Sequence, residues 1–397
     1  MGSALESTDV RNKLEDLSGV VPKPGENPYD ALIEACDDDP AKIQELYAAH
    51  RARRNAQQRA RFLSPDFTEL IIDPYLLRLE NPAIEPGFVR PTPFPRTRVP
   101  PSRTRSRGAT HPRYPAARGP QPANARQEDR RHCMTVWARP PNHVLELAEE
   151  VQRRLRAAAP HVWLMPAYRM HMTTLELAFS RTAAEISALL AALGRDAVRA
   201  LADYTATPAR RRAPARLVRP FVSYDLSAFA LSFVPASGHE PRASPPPAQP
   251  GPLDDEHDDH HEGEPIQEPG QPPRPDRYTY HHLRRDLWAR ARAAGVAVDS
   301  RYVVPSAHVT LGRYLGDADH ATAAQRRRWV DAIDEVNRWL EGEVWAVAAA
   351  PPGGASPAAP RRRFVGEWIV GQEKGFDVRV GTLWYGGGRT VLLGEGF

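Results

Sequence analysis

Three proline-rich stretches limit what this chain can fold into. They span residues 91–130, 237–276 and 348–363 and hold more than half of the chain's 41 prolines. Proline fixes φ and supplies no backbone N–H, so segments rich in it and lacking an apolar period cannot join a helix or a central strand. We therefore predict disordered insertions at these places. The folded part must be built from the blocks between them.

Those blocks give 397 residues a simple predicted organisation: a helical N-terminal appendage over residues 1–90 and a main domain over residues 131–397. The appendage contains a basic helix, AKIQELYAAHRARRNAQQRARFL, whose arginine-rich face could contact RNA, although a solvated face is the simpler interpretation. The net charge of +4 suits an anionic substrate but is weak evidence alone.

The cysteine content and the hydropathy of the sequence indicate the cellular environment that we expect for the protein. Cys36 and Cys133 form no metal-ligand or redox motif, which favours a reducing, intracellular location. No run approaches the ~18 apolar residues of a membrane span, so we expect no membrane association. We also expect a monomer that needs no cofactor and no metal.

Strand-like and helix-like blocks alternate along the main domain. CMTVWARPP reads as a strand, HVLELAEEVQRRLRAAA as a helix, and VWLMPAYRMHMTTLELAF as one or two strands. A similar order recurs later, where VPSAHVTLGRYL lies between two helical patterns, and Gly-rich turns separate strands near the end. This order predicts an α+β fold with hints of internal duplication.

The chemistry that stands out lies in two His-x-Thr strands, MHMTTLEL and AHVTLGRY. In a strand, residues i and i+2 project to the same face, so His171 points with Thr173 and His308 points with Thr310. If the two strands are neighbours, two imidazoles and two hydroxyls converge on one pocket. A third triplet, His320-Ala-Thr, lies in a polar turn entering a helix, and we set it aside because chance alone gives roughly one such triplet.

Two imidazoles and two hydroxyls match the needs of phosphodiester cleavage. One neutral imidazole can remove a proton from water or an attacking hydroxyl, while a protonated one gives a proton to the leaving oxygen. Threonine hydroxyls can donate hydrogen bonds to the nonbridging oxygens as charge builds. The alternative is that both histidines are ordinary core or surface residues.

Two strands of the form apolar-His-x-Thr-apolar make the chain similar to the 2H phosphoesterase superfamily, which includes cyclic phosphodiesterases and LigT-like RNA ligases. Over its whole length, including the LSPDF…IIDPYLLRL lead-in, it resembles long fungal members described as RNA ligase/cyclic nucleotide phosphodiesterase. The resemblance implies a bilobal duplicated fold, with antiparallel sheets lining a central cleft and helices outside. It also implies that His171, Thr173, His308 and Thr310 are the catalytic and phosphate-binding residues, acting without metal.

Three aromatic residues are candidates for substrate binding. MTVWARP resembles the start of the cyclic phosphodiesterase branch, in which the tryptophan lines the pocket, so Trp137 either stacks on a base or belongs to the core. Strict alternation puts Arg313 on the face opposite His308, which favours Tyr314 as the pocket residue. Tyr168 either lines the mouth or packs. The tract DDEHDDHHEGE could hold a metal, but a solvated loop explains it better.

The leading hypothesis is a metal-independent hydrolase of a 2′,3′-cyclic or related cyclic phosphodiester on a nucleotide or RNA end, with RNA processing as the expected context. A second enzymatic hypothesis is 2′–5′ RNA ligation, the reverse chemistry. The chain could instead bind nucleotide or RNA without turnover, or act as a scaffold through its Arg/Pro-rich insertions.

Overall fold

The computed structural model describes residues 15–73, 75–77, 131–241, 276–300, 303–345 and 363–397. The predicted insertion at residues 91–130, the acidic-histidine tract and all but the last residue of the third insertion lie outside this part of the chain. Within the described residues, no helix is both long enough and apolar enough to span a membrane.

Helices and strands alternate along the described chain, as the sequence predicts. The helices are α1 (Asp30–Ala35), α2 (Pro40–Leu63), α3 (Asn142–Ala158), α4 (Ala183–Ala202), α5 (Pro208–Arg212), α6 (Tyr280–Ala293) and α7 (Ala323–Trp339). The strands are β1 (His132–Ala138), β2 (Trp163–Leu164), β3 (Met172–Arg181), β4 (Arg216–Tyr224), β5 (Ala228–Pro235), β6 (Ala307–Arg313), β7 (Trp368–Ile369), β8 (Asp377–Gly381) and β9 (Arg389–Leu393).

The strands form two antiparallel sheets. One has the order β3-β1-β8-β9, and the other has the order β2-β6-β5-β4-β7. Every strand pair in both sheets is antiparallel. The predicted α+β class with antiparallel sheets is therefore confirmed at this level. The two His-x-Thr segments belong to different sheets, one on β3 and its approach, the other on β6.

A β-bulge in β6 changes which side chains share a face. Thr310 pairs with Ala230 and Gly312 with Phe229, so Leu311 is left without a partner residue on β5. Arg313 then pairs with Ala228, which alternation places on the same face as Ala230. The extra residue therefore brings Arg313 to the face that carries Thr310.

Glycine is required at position 312. A Cβ there would lie 2.4 Å from the Phe229 ring and 2.5 Å from the carbonyl oxygen of Trp163, a backbone atom of the neighbouring strand β2. The absence of a side chain lets β2 and the aromatic core approach β6 closely beside the bulge.

The N-terminal segment shares the hydrophobic core of the two sheets. Tyr29, Ile43 and Phe62 are completely buried and belong to the same apolar cluster as the strand residues. The helix α2 begins with Asp39, whose side chain accepts a hydrogen bond from the Ala41 amide. The predicted appendage is thus packed as an integral part of the fold over its described residues.

The second predicted insertion is narrower than the sequence suggests. At its start, Ser237 and Glu240 are buried, and the Glu240 carboxylate accepts a hydrogen bond of 2.6 Å from Gln44 on α2. At its end, buried Asp276 pairs with buried Arg216 at 2.7 Å. The prediction of disorder over residues 237–276 is therefore wrong at these two ends, because the polar ends find partners in the core that local composition does not reveal.

We expect Gly312→Ala to lower the free energy of unfolding by about 1–3 kcal/mol, because its Cβ meets backbone and a packed ring. Gly316→Ala is the matched control, since a Cβ at Gly316 meets nothing within 4 Å. Urea unfolding measures both. Equal stability of the two variants would contradict the close approach at Gly312.

Candidate functional site

The first motif lies where the chain enters β3. His171 and Thr173 are partly exposed, whereas Met172 between them is buried in the core. The Nδ1 atom of His171 lies 2.8 Å from the carbonyl oxygen of Arg169 and donates to it. In the neutral imidazole, Nε2 therefore carries the lone pair.

The second motif repeats this arrangement on β6. His308 and Thr310 are partly exposed, and Val309 between them is completely buried. The Nδ1 atom of His308 lies 3.0 Å from the Ser306 hydroxyl, which can donate or accept. In both segments the histidine and the threonine are partly exposed on either side of a buried residue.

The four side chains line one pocket between the two sheets. Its volume is about 120 Å³, and His171, Thr173, His308 and Thr310 all contribute to its wall. The other lining residues are Cys133, Thr135, Trp137, Met165, Glu176, Arg313, Leu383, Trp384 and Tyr385. The structure thus brings together the quartet that the sequence singled out.

Backbone contacts around β2 connect the two motifs. β2 pairs with the end of β6, and the amide of Met165 donates to the carbonyl of Leu311 at 2.8 Å. The buried amide nitrogen of Gln152, from α3, donates to the carbonyls of both Met165 and Leu311, at 2.8 and 2.7 Å. From Met165 the chain reaches His171 through one short helical turn, so the position of β6 constrains the position of His171.

A buried guanidinium joins the two strands from behind. Arg284, on α6, is almost completely buried. Its Nη1 donates to the carbonyl of Val304 at 2.9 Å, just before β6, and its Nε donates to the carbonyl of Thr174 at 3.3 Å, on β3. One planar guanidinium is therefore hydrogen-bonded to both of the backbone segments that carry the two histidines.

Trp137 supports His171 rather than offering an open stacking surface. The two rings are stacked, with centroids 3.6 Å apart and an interplanar angle of 15°. Only 1% of Trp137 is exposed, which leaves no open face for a base. A substrate base therefore cannot stack on Trp137 in this arrangement, although the residue does lie in the pocket wall.

Two arginines cover the same indole. The guanidinium carbons of Arg379 and Arg139 lie 4.7 and 5.1 Å from the Trp137 ring centroid. Both donate to one oxygen of Asp377, Arg139 at 2.6 Å and Arg379 at 3.3 Å. Two cations share the carboxylate of Asp377, so these three groups together carry one net positive charge.

Burial and this positive charge keep His171 neutral. Burial lowers the pKa of the imidazole to about 3, and the charges of Arg139 and Arg379 act in the same direction. The hydrogen bond to the Arg169 carbonyl opposes the change but does not outweigh it.

The imidazole of His308 is also held neutral, because its pKa too is lowered. Burial lowers its pKa to about 4, and the charges of Arg54, Arg284 and Arg313 add to that effect. The carboxylate of Asp225 acts in the opposite direction. This carboxylate favours the protonated form of His308.

The bulge at Leu311 reverses the expectation for the residues after the second motif. Tyr314 is 1% exposed, and its hydroxyl accepts a hydrogen bond of 3.1 Å from the Trp329 indole, away from the pocket. Arg313 lines the pocket instead. The choice of Tyr314 over Arg313 is therefore wrong, and the sequence signal that could have corrected it is the isolated glycine at position 312, which is typical of a bulge.

Tyr385, and not the predicted Tyr168, contributes an aromatic ring to the pocket. Tyr168 is 76% exposed and does not line the pocket, so the proposed position at its mouth is not observed. Tyr385 lines the pocket, with the Arg313 guanidinium 5.2 Å from its ring centroid. Its hydroxyl donates to Asp73, and its φ is +56°, so a segment that reads as a hairpin turn positions an aromatic ring.

The third His-x-Thr triplet has structural roles. His320 is buried among Phe62, Tyr314 and Trp329. Thr322 caps α7, where its side chain accepts from the Gln325 amide. Setting this triplet aside agrees with what the structure shows.

The described part of the chain contains no group of three or more His, Cys, Asp or Glu side chains that could hold a metal ion. The acidic-histidine tract at residues 254–264 lies outside that part.

No model of a known protein family matches this chain, and no curated protein or solved structure is significantly similar to it. Any functional conclusion must therefore come from the geometry and chemistry of the pocket.

We expect the imidazoles of His171 and His308 to stay neutral down to about pH 5 in the free protein, because their pKa values are about 3 and about 4. An unfolded histidine takes up its proton near pH 6.5. The stability gained by burying these neutral rings is therefore complete above pH 6.5 and is lost as the pH falls toward the folded values.

Proton NMR of the imidazole C–H signals, assigned with His171→Gln and His308→Gln, measures this directly. A histidine peptide in the same buffer provides the reference titration. Either imidazole titrating at or above pH 6.5 would contradict the assigned electrostatics.

Proposed function

We propose that this protein is a metal-independent phosphodiesterase that opens a cyclic phosphodiester, such as a 2′,3′-cyclic phosphate on a nucleotide or RNA end. The observation that carries the proposal is the convergence of two imidazoles and two threonine hydroxyls on one pocket of about 120 Å³. That volume suits a phosphate group and is well below the ~300 Å³ at which sites for whole small molecules begin.

His171 is suited to act as the general base. Its Nδ1 proton is held by the Arg169 carbonyl, so the neutral ring has its lone pair on Nε2. Nε2 takes a proton from the attacking water as the water oxygen forms its bond to phosphorus. Stacking against Trp137 holds the ring plane in place for that transfer.

His308 is suited to act as the general acid. The carboxylate of Asp225 favours its imidazolium form. As the bond from phosphorus to the ribose oxygen breaks, the imidazolium gives that oxygen its proton. Each turnover therefore ends with a protonated His171 and a neutral His308. The starting protonation states return when the two imidazoles exchange protons with water.

The negative charge of the substrate favours the protonated form of His308 that the mechanism requires. A phosphodiester anion beside His308 favours the charged imidazole, which raises its pKa in the complex. Thr173 and Thr310 can donate hydrogen bonds to the nonbridging oxygens, and Arg313 adds a positive charge at the same wall. The positive surroundings that keep the free imidazoles neutral thereby become an attraction for the anion.

Removing either imidazole should abolish most of the activity. We expect His171→Ala and His308→Ala each to lower kcat on a 2′,3′-cyclic nucleotide, measured in EDTA, by about 10²–10⁴-fold, the usual contribution of one acid or base. The exposed His239 does not line the pocket, so His239→Ala is the control and should keep full activity.

Thermal unfolding of each variant separates loss of chemistry from loss of fold. Full activity in either single pocket variant would refute the proposal. Binding of the cyclic nucleotide by the wild-type protein without product would favour a binding module instead.

The pH dependence of the two kinetic constants should differ. The profile of kcat/KM follows the free protein, in which both pKa values are low, whereas the profile of kcat follows the complex, in which the bound anion raises them. We therefore expect the kcat optimum to lie at a higher pH than the kcat/KM optimum, by about 1–3 pH units. Coincident optima would contradict the role assigned to substrate charge.

A further inference from the structure

A second and larger cavity opens beside the phosphate pocket. Its volume is about 400 Å³, and it shares His308, Thr310 and Arg313 with the smaller pocket. The two spaces are therefore compartments of one cleft that meet at β6. A volume of about 400 Å³ falls in the ~300–1,000 Å³ range of sites for small organic ligands.

The N-terminal helix α2 builds one wall of this cavity. It contributes Tyr47, His50, Arg51 and Arg54, opposite residues from β4, β5 and the segment that leads into β6. The cavity wall also offers aromatic, aliphatic and hydroxyl groups, among them Tyr224, Phe233, Val304, Ser223 and Ser232. Such a mixture suits a nucleoside, which combines a flat base with a polar sugar.

Arg51 contributes a partly buried guanidinium to this wall. Its Nη1 donates to the carbonyl of Arg219 at 2.8 Å, and its guanidinium carbon lies 4.8 Å from the Phe221 ring centroid. Burial, aided by the charge of Arg219, lowers the pKa of Arg51 to about 10, although the carboxylate of Glu341 acts in the opposite direction. An anion placed against this guanidinium would relieve that desolvation.

Arg54 lies one helical turn further along and pairs with Asp225 at 3.6 Å. The same Asp225 accepts hydrogen bonds from the amides of Ser227 and Ala228, so its charge is shared with the turn before β5. The remaining carboxylate of the wall, that of Glu15, accepts a hydrogen bond from Gln57 at 3.0 Å.

The charges of the wall leave a net attraction for anions. Three arginines, Arg51, Arg54 and Arg313, face two carboxylates, those of Asp225 and Glu15. The positive groups lie on both sides of His308, at α2 and at the end of β6. When one phosphate is bound at the two histidines, the arginines of α2 therefore form a second positive region in the adjoining cavity.

We propose that this cavity binds a second nucleotide unit of the substrate, with its phosphate against Arg51 and Arg54. This inference rests on the proposed cyclic phosphodiesterase function. The preferred substrate is then an oligonucleotide that ends in a cyclic phosphate, rather than a cyclic mononucleotide. In this account the N-terminal segment is a specificity element built into the fold.

The test compares kcat/KM for a 2′,3′-cyclic mononucleotide and for a dinucleotide that ends in the same 2′,3′-cyclic phosphate, using the full chain. A guanidinium–phosphate contact is a strong, charge-assisted hydrogen bond, so we expect the dinucleotide to be preferred by about 10–100-fold. Raising the salt concentration should reduce this preference more than it reduces mononucleotide turnover.

Matched variants assign the preference to the helix. Arg51→Gln should remove most of the dinucleotide preference and leave mononucleotide kcat/KM within a few-fold of wild type. Arg54→Gln should also remove most of the preference, but it changes the charges that act on His308, so only the ratio of the two kcat/KM values is compared for this variant. Arg61→Gln is the control, because Arg61 lies on the same helix, is exposed and does not line the cavity. Arg51→Lys keeps the charge and should restore part of the preference if Arg51→Gln loses it.

The outcomes separate this inference from the function on which it rests. Turnover of both substrates with equal kcat/KM, or a dinucleotide preference that survives both glutamine variants, would overturn the second nucleotide site alone. Turnover of neither substrate would instead overturn the proposed function. The wild-type comparison decides the matter even if one variant fails to fold.

Discussion

The buried guanidinium of Arg284 holds together the part of the molecule on which the proposed chemistry depends. It donates to the carbonyl of Thr174 on β3 and to that of Val304 before β6, two segments that belong to different sheets. A side chain with donors in a fixed planar arrangement is suited to fixing the distance between two backbones. Gln152 acts similarly on the other side, where it joins β6 to the segment leading to His171. Cleavage of a phosphodiester by two imidazoles requires such rigid spacing.

The electrostatics of the pocket follow from the same packing. Both imidazoles are partly exposed but largely surrounded by protein atoms, and arginines lie nearby, so desolvation and charge each favour the neutral form. The free protein therefore holds two neutral imidazoles near positive charges, and in the proposed mechanism His308 becomes the acid only when an anion binds beside it. In this account the phosphodiester is both the substrate and the source of the field that sets the protonation of His308. The network of Arg139, Arg379 and Asp377 behind Trp137 maintains this environment on the His171 side.

The parts of the site that local periodicity determines could be predicted from the sequence, and the parts that depend on pairing could not. The shared face of His171 and Thr173, and that of His308 and Thr310, follow from strand alternation alone. Arg313 and Tyr314 exchange faces because a bulge at Leu311 depends on how β6 pairs with β5. Long-range packing likewise decides that Trp137 stacks on His171. The arginines of α2 read as a basic surface, and only the tertiary fold brings Arg51 and Arg54 to the cleft.

A titration with inorganic phosphate, followed by NMR of both imidazoles, tests most directly whether one phosphate contacts His171 and His308 together. The account predicts that the signals of the two rings shift with a single dissociation constant, that the His308 ring becomes protonated as phosphate binds, and that His308→Gln weakens the response of His171. If phosphate shifts the signals of one ring only, or shifts the two with different dissociation constants, then the two imidazoles do not share a phosphate and the central claim is wrong.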